Sequence, residues 1–304
     1  MTEADFLTLL RPLATHPAAR GLADDAAVLG DLVLTHDMLV ESVHFLPGDP
    51  PEDVAWKLVA VNLSDLAAKG AVPIGVLLGY PLSTLAWDAA FVRGLGEALA
   101  HFDVPLLGGD TVKGPRVLSL TAIGRAEIAP SRAGAKAGDR LWVTGVIGQA
   151  GLGLRILCAP AHTEALAAEG VARSTGLLPA QDHSAAIDAY RRPTPRLAEG
   201  RALAPLVTAM MDVSDGLLID ARRMADASGL RVTIDLDAVP LVGERIAAVT
   251  AGDDYELLFS LPDGVEPPVR ASRIGTFAVG GGIALVDRHG PVPLPQRLGW
   301  QHGI

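Results

Sequence analysis

Cysteine is almost missing from this 304-residue chain: Cys158 stands alone. That excludes an intramolecular disulfide and any zinc site built on several thiolates. Cys158 lies in the apolar run Leu154-Arg155-Ile156-Leu157-Cys158, where a packed, inert thiol is expected. Lysine is scarce as well (Lys57, Lys69, Lys113 and Lys136), and Asn62 is the single asparagine. Drift toward GC-rich codons accounts for such a composition. Against it, a position that stays Asp or Asn is suggestive. Lys+Arg number 25 against 35 Asp+Glu, a formal net charge of -10. No nucleic-acid partner is therefore expected, because a phosphate-backbone binder carries a basic face. Phosphate ligands remain compatible, since metal ions can supply the missing positive charge.

No apolar run reaches the roughly 20 residues of a membrane helix. The start, Met1-Thr2-Glu3-Ala4-Asp5, is acidic and lacks the basic region of a signal peptide. A soluble, cytoplasmic protein without membrane contact is expected. With 49% hydrophobic and 20% charged residues the chain is not disordered as a whole, and its length suits two domains. Familiar nucleotide signatures are absent too: there is no Gly-x-x-x-x-Gly-Lys-Ser/Thr loop, and Gly151-Leu152-Gly153 lacks the third glycine of a dinucleotide fingerprint. Kinase-type Val-Ala-Ile-Lys and His-Arg-Asp segments and a His-Glu-x-x-His motif are missing as well.

The pattern predicts a helix over 3–11, a loop from Pro12 to Gly21, and a strand hairpin, 24–29 and 31–37, turning at Gly30. Pro50 and Pro51, then Glu52 and Asp53, signal a helix start, with Gly70 as its stop. A strand is expected over 74–78, a helix over 85–102, a short strand 104–107 opening into a Gly108-Gly109-Asp110-Thr111 loop, and a strand over 117–122. The turn-rich stretch 133–139 is the best boundary, giving domains 1–137 and 138–304. In the second, a strand at 140–144, helices near 149–158 and 161–172, a strand 207–211 running into Asp212-Val213-Ser214-Asp215-Gly216, a helix 217–228 closed at Gly229, and strands at 231–236, 255–260 and 283–286 are expected. Their irregular alternation points to an α+β fold rather than a doubly wound parallel sheet.

What the chain has in place of those signatures is aspartates at element ends: Asp24, Asp25, Asp37, Asp65, Asp110, Asp212, Asp215, Asp253 and Asp254. Each has an ordinary reading alone: Asp24 as a turn residue, Asp65 as an i,i+4 partner of Lys69, Asp212 near a helix cap. Together they mean more. Converging carboxylates need cations or raised pKa values to relieve their repulsion, and Mg²⁺ favours oxygen ligands shared with phosphates. Lys57 and Lys69, on the helix beside the acids, are read as charge balance, and Arg132, in a Gly/Ala-rich segment, as a phosphate contact.

The blocks Ala23-Asp24-Asp25-Ala26-Ala27-Val28, Thr35-His36-Asp37-Met38-Leu39-Val40-Glu41, Val43-His44-Phe45, Lys57-Leu58-Val59-Ala60-Val61-Asn62-Leu63-Ser64-Asp65-Leu66-Ala67-Ala68, Gly108-Gly109-Asp110-Thr111, the Ser131–Asp139 stretch, Asp212-Val213-Ser214-Asp215-Gly216-Leu217 and Gly252-Asp253-Asp254-Tyr255-Glu256-Leu257 resemble, in order and over nearly the whole chain, the thiamine-monophosphate kinase family. The resemblance implies a two-domain aminoimidazole ribonucleotide synthetase-like fold: an N-terminal sheet domain that forms a homodimer, and a C-terminal α+β domain. It also implies phosphorylation of thiamine monophosphate to thiamine diphosphate, with ATP as co-substrate and several Mg²⁺ ions. Carried over by position, the metal residues are Asp25, Thr35, His36, Asp37, Asp65, Asp110, Asp212 and Asp215. Gly109, Asp110, Arg132 and Ser214 match nucleotide contacts, and His44, Asp253 and Trp300 match the thiamine phosphate pocket. No protein general base is implied.

Three departures stand out. Ala23 replaces a usual glycine, His36 a usual Thr or Ser, and Asp253 a frequent Glu with longer reach. Within the superfamily, no reactive Cys precedes the first acidic block, which disfavours selenophosphate synthetase, and no terminal cysteine suits the hydrogenase-maturation dehydratase. A catalytically silent nucleotide binder is disfavoured because it would need fewer acids.

Overall fold

The computed structural model describes residues 2–159 and 180–301. The predicted helix at 161–172 lies outside them. The fold is organised around one helix, α2 (Pro51–Ala68). Pro51 occupies its first turn, where a missing N–H costs nothing, and Glu52 and Asp53 face the positive end of its dipole. Gly70, at φ +61°, ends it: the Gly70 N–H reaches Ala67 O and the Ala71 N–H reaches Leu66 O, satisfying the last carbonyls.

Residues 54–68 of α2 are all buried. A helix buried all round sits inside a protein, and each polar side chain on it needs a partner. Lys57, Asn62, Ser64 and Asp65, with Lys69 just beyond, are the polar ones.

On one side lies a five-stranded sheet in the order β1-β2-β5-β3-β4. Its strands are β1 (Ala27–Leu29), β2 (Leu32–Val40), β3 (Val72–Leu82), β4 (Leu106–Lys113) and β5 (Val117–Arg125). β1 and β2 form the predicted hairpin, and β3 and β4 run parallel across α3 (Leu85–His101). Val33, Leu39, Leu118, Leu120 and Ala122 pack with the apolar residues of α2 in the N-terminal core.

On the other side is a seven-stranded sheet, β12-β11-β8-β10-β6-β9-β7. It comprises β6 (Arg140–Thr144), β7 (Ala209–Asp212), β8 (Leu230–Asp235), β9 (Leu257–Leu261), β10 (Ala271–Val279), β11 (Gly282–Asp287) and β12 (Gly290–Val292). Its helices are α4 (Gln149–Cys158), α5 (Ala180–Arg191), α6 (Leu197–Leu203), α7 (Leu217–Ala227) and α8 (Arg245–Thr250), while α1 (Glu3–Leu10) opens the chain. Ala67 and Ala68 of α2 join Leu203, Met210, Leu257 and Phe259 in a core shared with this half. At Gly200 of α6 a Cβ would lie 2.0 Å from Ala67 O, so only glycine permits that crossing. Among the described residues no helix is long and apolar enough to cross a membrane.

Several expectations need correcting. Gly108-Gly109-Asp110-Thr111 is no loop: it continues β4, hydrogen-bonded to β3. A Cβ at Gly109 would sit 1.9 Å from Leu78 O, so the glycine lets two backbones approach where loop logic sees only a turn. Gly109→Ala is expected to cost about 1–3 kcal/mol in chemical denaturation by forcing these strands apart. The loop from Pro12 to Gly21 contains 3-10 turns at Arg11–Leu13 and Pro17–Leu22. Strand β10 had no sequence signal, because its Gly-interrupted, half-buried pattern lacks clean alternation. Cys158 is exposed at the end of α4 rather than packed, because the buried residues of that helix, Ala150, Leu152 and Gly153, all lie in its first half.

Candidate active site

The polar residues of α2 meet segments far apart in the chain. The Ser64 hydroxyl donates to Asp212 Oδ2 at 2.6 Å, joining α2 to the end of β7. Asp65 Oδ2 accepts from the Thr35 hydroxyl of β2. Asn62 Oδ1 accepts the Asp37 N–H at 2.9 Å, while its amide donates to Leu58 O. Lys69 Nζ lies 2.5 Å from Asp24 and 2.7 Å from Asp25. It also donates to Met210 O at 3.2 Å.

These contacts gather acids from remote parts of the chain. Carboxylate oxygens of Asp25, Asp65 and Asp212 all lie within 4.8 Å of one another. Burial pushes Asp212 up to about 8, helped by Asp25 and opposed by the Ser64 hydrogen bond. Burial and the neighbouring charges of Asp37, Asp212 and Asp25 raise Asp65 well above the usual carboxylate range. Asp37 is raised to about 6 by burial, then by Asp25 and Asp215. Asp25 goes the other way. Burial opposes its charge, but the Lys69 ammonium and the Arg132 guanidinium outweigh burial and hold it at about 2.

Three buried carboxylates this close, two of them pushed toward protonation for want of a counter-charge, form an all-oxygen donor set that fits a hard divalent cation. Mg²⁺ suits the chemistry of these residues.

The other predicted residues divide. Thr35 and Asp37 face α2, but His36 points from the opposite face of β2, with Nδ1 2.8 Å from Thr121 Oγ1. The period-2 alternation of a strand makes that inevitable, so the imidazole does not join the acids. Asp215 sits beside the cluster, ion-paired to Arg223 at 2.5 Å. Arg132 is not a free arm of a flexible segment: its guanidinium is paired with Asp25. Asp65 does not pair with Lys69 as its spacing allows, because Lys69 is taken by Asp24 and Asp25. Asp24 is no turn residue but a buried partner of Lys69 and of Arg20 at 2.6 Å. Asp212 does not cap α7, whose first residue follows Gly216 without a side-chain cap.

Asp110 is not brought to the cluster. Register runs Met38–Ser119–Gly79–Asp110 across β2, β5, β3 and β4, three strand spacings or about 14 Å from the β2 acids. Every residue of β4 is exposed.

The predicted acceptor residues lie on the other flank. The Asp253 N–H donates to Ser214 O at 2.8 Å, so the two acidic motifs of the C-terminal half touch through the backbone. Tyr255 is buried, with its hydroxyl 3.0 Å from Asp253 Oδ1, and burial with the charges of Asp253, Asp37 and Asp212 pushes its phenol well up. Tyr255 thus stands between the cluster and Asp253. Trp300 is 51% exposed, its N–H on Asp215 O at 2.9 Å. Asp254 faces elsewhere, accepting the Gly148 N–H at the start of α4.

Residues 23–126 match AIR synthase related protein, N-terminal domain, and residues 136–288 match AIR synthase related protein, C-terminal domain. The chain is 40% identical to the thiamine-monophosphate kinase of Caulobacter vibrioides, covering 99% of this chain and 91% of that protein. It belongs to the thiamine-monophosphate kinase family. Among solved structures, AaThiL complexed with AMPPCP and TMP matches with a TM-score of 0.83 at 27% identity, over 99% of this chain and 97% of that one. Thiamine monophosphate kinase from Aquifex aeolicus matches with a TM-score of 0.77, also at 27% identity, over 96% and 99%. The two-domain α+β fold expected from the residues is the fold of that family.

Asn62, Ser64 and Tyr255 are neighbours of the site that motif reading gave no role, whereas Lys69 balances the charge of Asp24 and Asp25 as expected. A signal existed for Asn62, the lone asparagine of the chain. It existed for Ser64 too, in the echo between Leu63-Ser64-Asp65 and Val213-Ser214-Asp215.

Proposed function

We propose that this protein transfers the terminal phosphoryl group of ATP directly to the phosphate of thiamine monophosphate, giving thiamine diphosphate and ADP. The observation that carries the reading is the meeting of Asp25, Asp65 and Asp212 in a chain of this family. Asp25, Asp37, Asp65, Asp212 and Asp215 would hold Mg²⁺, with the Thr35 hydroxyl and the His36 carbonyl beside them. Bound there, Mg²⁺ neutralises phosphate charge.

That charge is the main obstacle. Two unit charges 4 Å apart repel by roughly 4 kcal/mol even at an effective dielectric near 20. Proton transfer is not an obstacle: a phosphate monoester, with a second pKa near about 6, is already a dianion nucleophile. No protein base is required. An acceptor oxygen bonds to the γ-phosphorus as the β–γ bridging bond breaks in line, and the bond's electrons leave with ADP. Gly109, Asp110, Arg132 and Ser214 are assigned to the nucleotide, and His44, Asp253 and Trp300 to thiamine monophosphate. ADP release with Mg-ATP should appear with thiamine monophosphate and be absent with thiamine, which lacks the dianion; turnover of thiamine or of an aminoimidazole precursor instead would overturn the assignment.

We further propose a homodimer of two-domain subunits, 1–137 and 138–304, in the cytoplasm. The exposed β4, with Leu107 and Val112, and the outward Leu77 and Met38 form an uncovered apolar sheet face suited to a second copy. Asp110 would then serve the partner subunit's cluster. Asp110→Asn should abolish turnover with the fold intact. Mixed dimers of D110N and D212N should regain activity that neither variant has alone, because one site then keeps both acids. A mixture that stays inactive assigns Asp110 to its own subunit.

A further inference from the structure

Two acceptor residues, His44 and Asp253, meet at a side chain read from sequence only as charge balance. Lys57, on α2, is 2% exposed. Its ammonium donates to Asp253 Oδ2 at 2.8 Å and to the His44 carbonyl at 3.0 Å. It also lies 3.9 Å from the centroid of the Tyr190 ring on α5. Two hydrogen bonds and one cation–π contact thus surround the ammonium.

A lysine buried this deeply is costly unless its charge is matched and fully hydrogen-bonded. The Lys57 charge is matched by Asp253 and enclosed by two hydrogen bonds and a ring face. What it holds is partly open: the Asp253 side chain is 28% exposed. Asp253 also has φ +68°, a left-handed conformation that a non-glycine residue keeps only when its surroundings hold it. Lys57 grips one carboxylate oxygen, the Tyr255 hydroxyl the other, and Ser214 O the backbone N–H. Asp has a shorter reach than Glu, so its usefulness here depends on where it is fixed.

We propose that Lys57 is a positioning residue for the acceptor, setting the Asp253 carboxylate against the loop that carries His44 and so governing affinity for the thiazolium-bearing phosphate. The inference rests on the acceptor reading above. Pairing also makes Asp253 and Lys57 neutral as a unit, so the carboxylate adds no net negative charge to a pocket that must admit a phosphate dianion.

The test is the KM for each substrate of the full-length protein. In Lys57→Met the KM for thiamine monophosphate should rise about thirtyfold, as when one partner of a buried charge pair is removed. The KM for ATP should stay within about twofold, since no nucleotide contact changes. Asp253→Asn should act in the same direction, and the K57M/D253N double variant should be no worse than the poorer single, because both act through one carboxylate. If Lys57→Met does not fold, Tyr255→Phe removes only the other grip on Asp253, and it should raise the same KM alone. The inference is overturned if K57M shifts both KM values equally, if the double variant is additive, or if neither K57M nor Tyr255→Phe moves the acceptor KM. A wild-type protein that does not turn over thiamine monophosphate would instead remove the acceptor reading on which it rests.

Discussion

Asp212→Asn is expected to lower turnover by more than about a hundredfold, beyond the usual cost of losing a group that only orients a metal ligand. In the same variant the melting temperature of the metal-free protein should rise. The two effects come from one cause. Asp212 is 3% exposed and shares its surroundings with Asp25 and Asp65, and burial with Asp25's charge drives it up to about 8. Asparagine keeps the shape and still accepts the Ser64 hydrogen bond, and it spares folding the cost of protonating, or desolvating, a carboxylate that has no opposite partner. A gain of about 1 kcal/mol would appear as a shift of roughly 2–4 °C in a domain of this size class. Differential scanning calorimetry in EDTA and steady-state kinetics in Mg²⁺ check both halves. An asparagine variant that melts lower in EDTA, or that turns over near normally, would contradict the assignment of Asp212 to a charge-requiring site.

The metal-free protein should lose stability as pH rises from about 5 to about 8, and saturating Mg²⁺ should reverse that slope. The sign follows from the direction of each shift. Asp37, raised to about 6, and Asp212, raised to about 8, bind protons more tightly folded than unfolded, where the ordinary value is 3.8. Their protonated forms therefore favour the folded state fully below about 4, and this advantage is lost as pH climbs through the two folded values. Asp25 behaves oppositely. Its charge is held by Lys69 and Arg132 down to about 2, so its contribution is present above 3.8 and disappears only in strong acid. Mg²⁺ held by the ionised cluster of the folded chain alone would give a stabilisation that grows with pH. Urea titrations at pH 5 and pH 8, each with EDTA and with Mg²⁺, separate these contributions. Equal stability in EDTA at both pH values would mean the carboxylates are not mutually destabilising.

Much of this was legible in residue order. Pro50 and Pro51 with the acidic pair behind them, and Gly70 at the far end, mark α2 to within a residue, because helix ends are set by local backbone chemistry. The Gly30 hairpin and the β7-to-α7 turn carrying Asp212 and Asp215 are local for the same reason. Strand alternation around His36 is equally local, and it turns the ring away from the acids whatever the motif position. Reading Asp110 as the tip of a loop failed differently. Two glycines before an acid look like a turn, and only the close approach of Leu78 O reveals them as the spacing of two strands.

The sequence by itself determined that this chain is an acidic α+β protein without an intramolecular disulfide and with aspartates at its element ends, since composition, helix punctuation and motif order depend on near neighbours alone. Which acids meet, and which cations answer them, was decided only by tertiary structure. Lys69 lies four residues from Asp65 yet serves Asp24 and Asp25, and Lys57 reaches across 196 positions to Asp253. The reason is burial: once α2 is enclosed between two sheets, no polar atom on it can turn to water, and each takes the partner the packing brings.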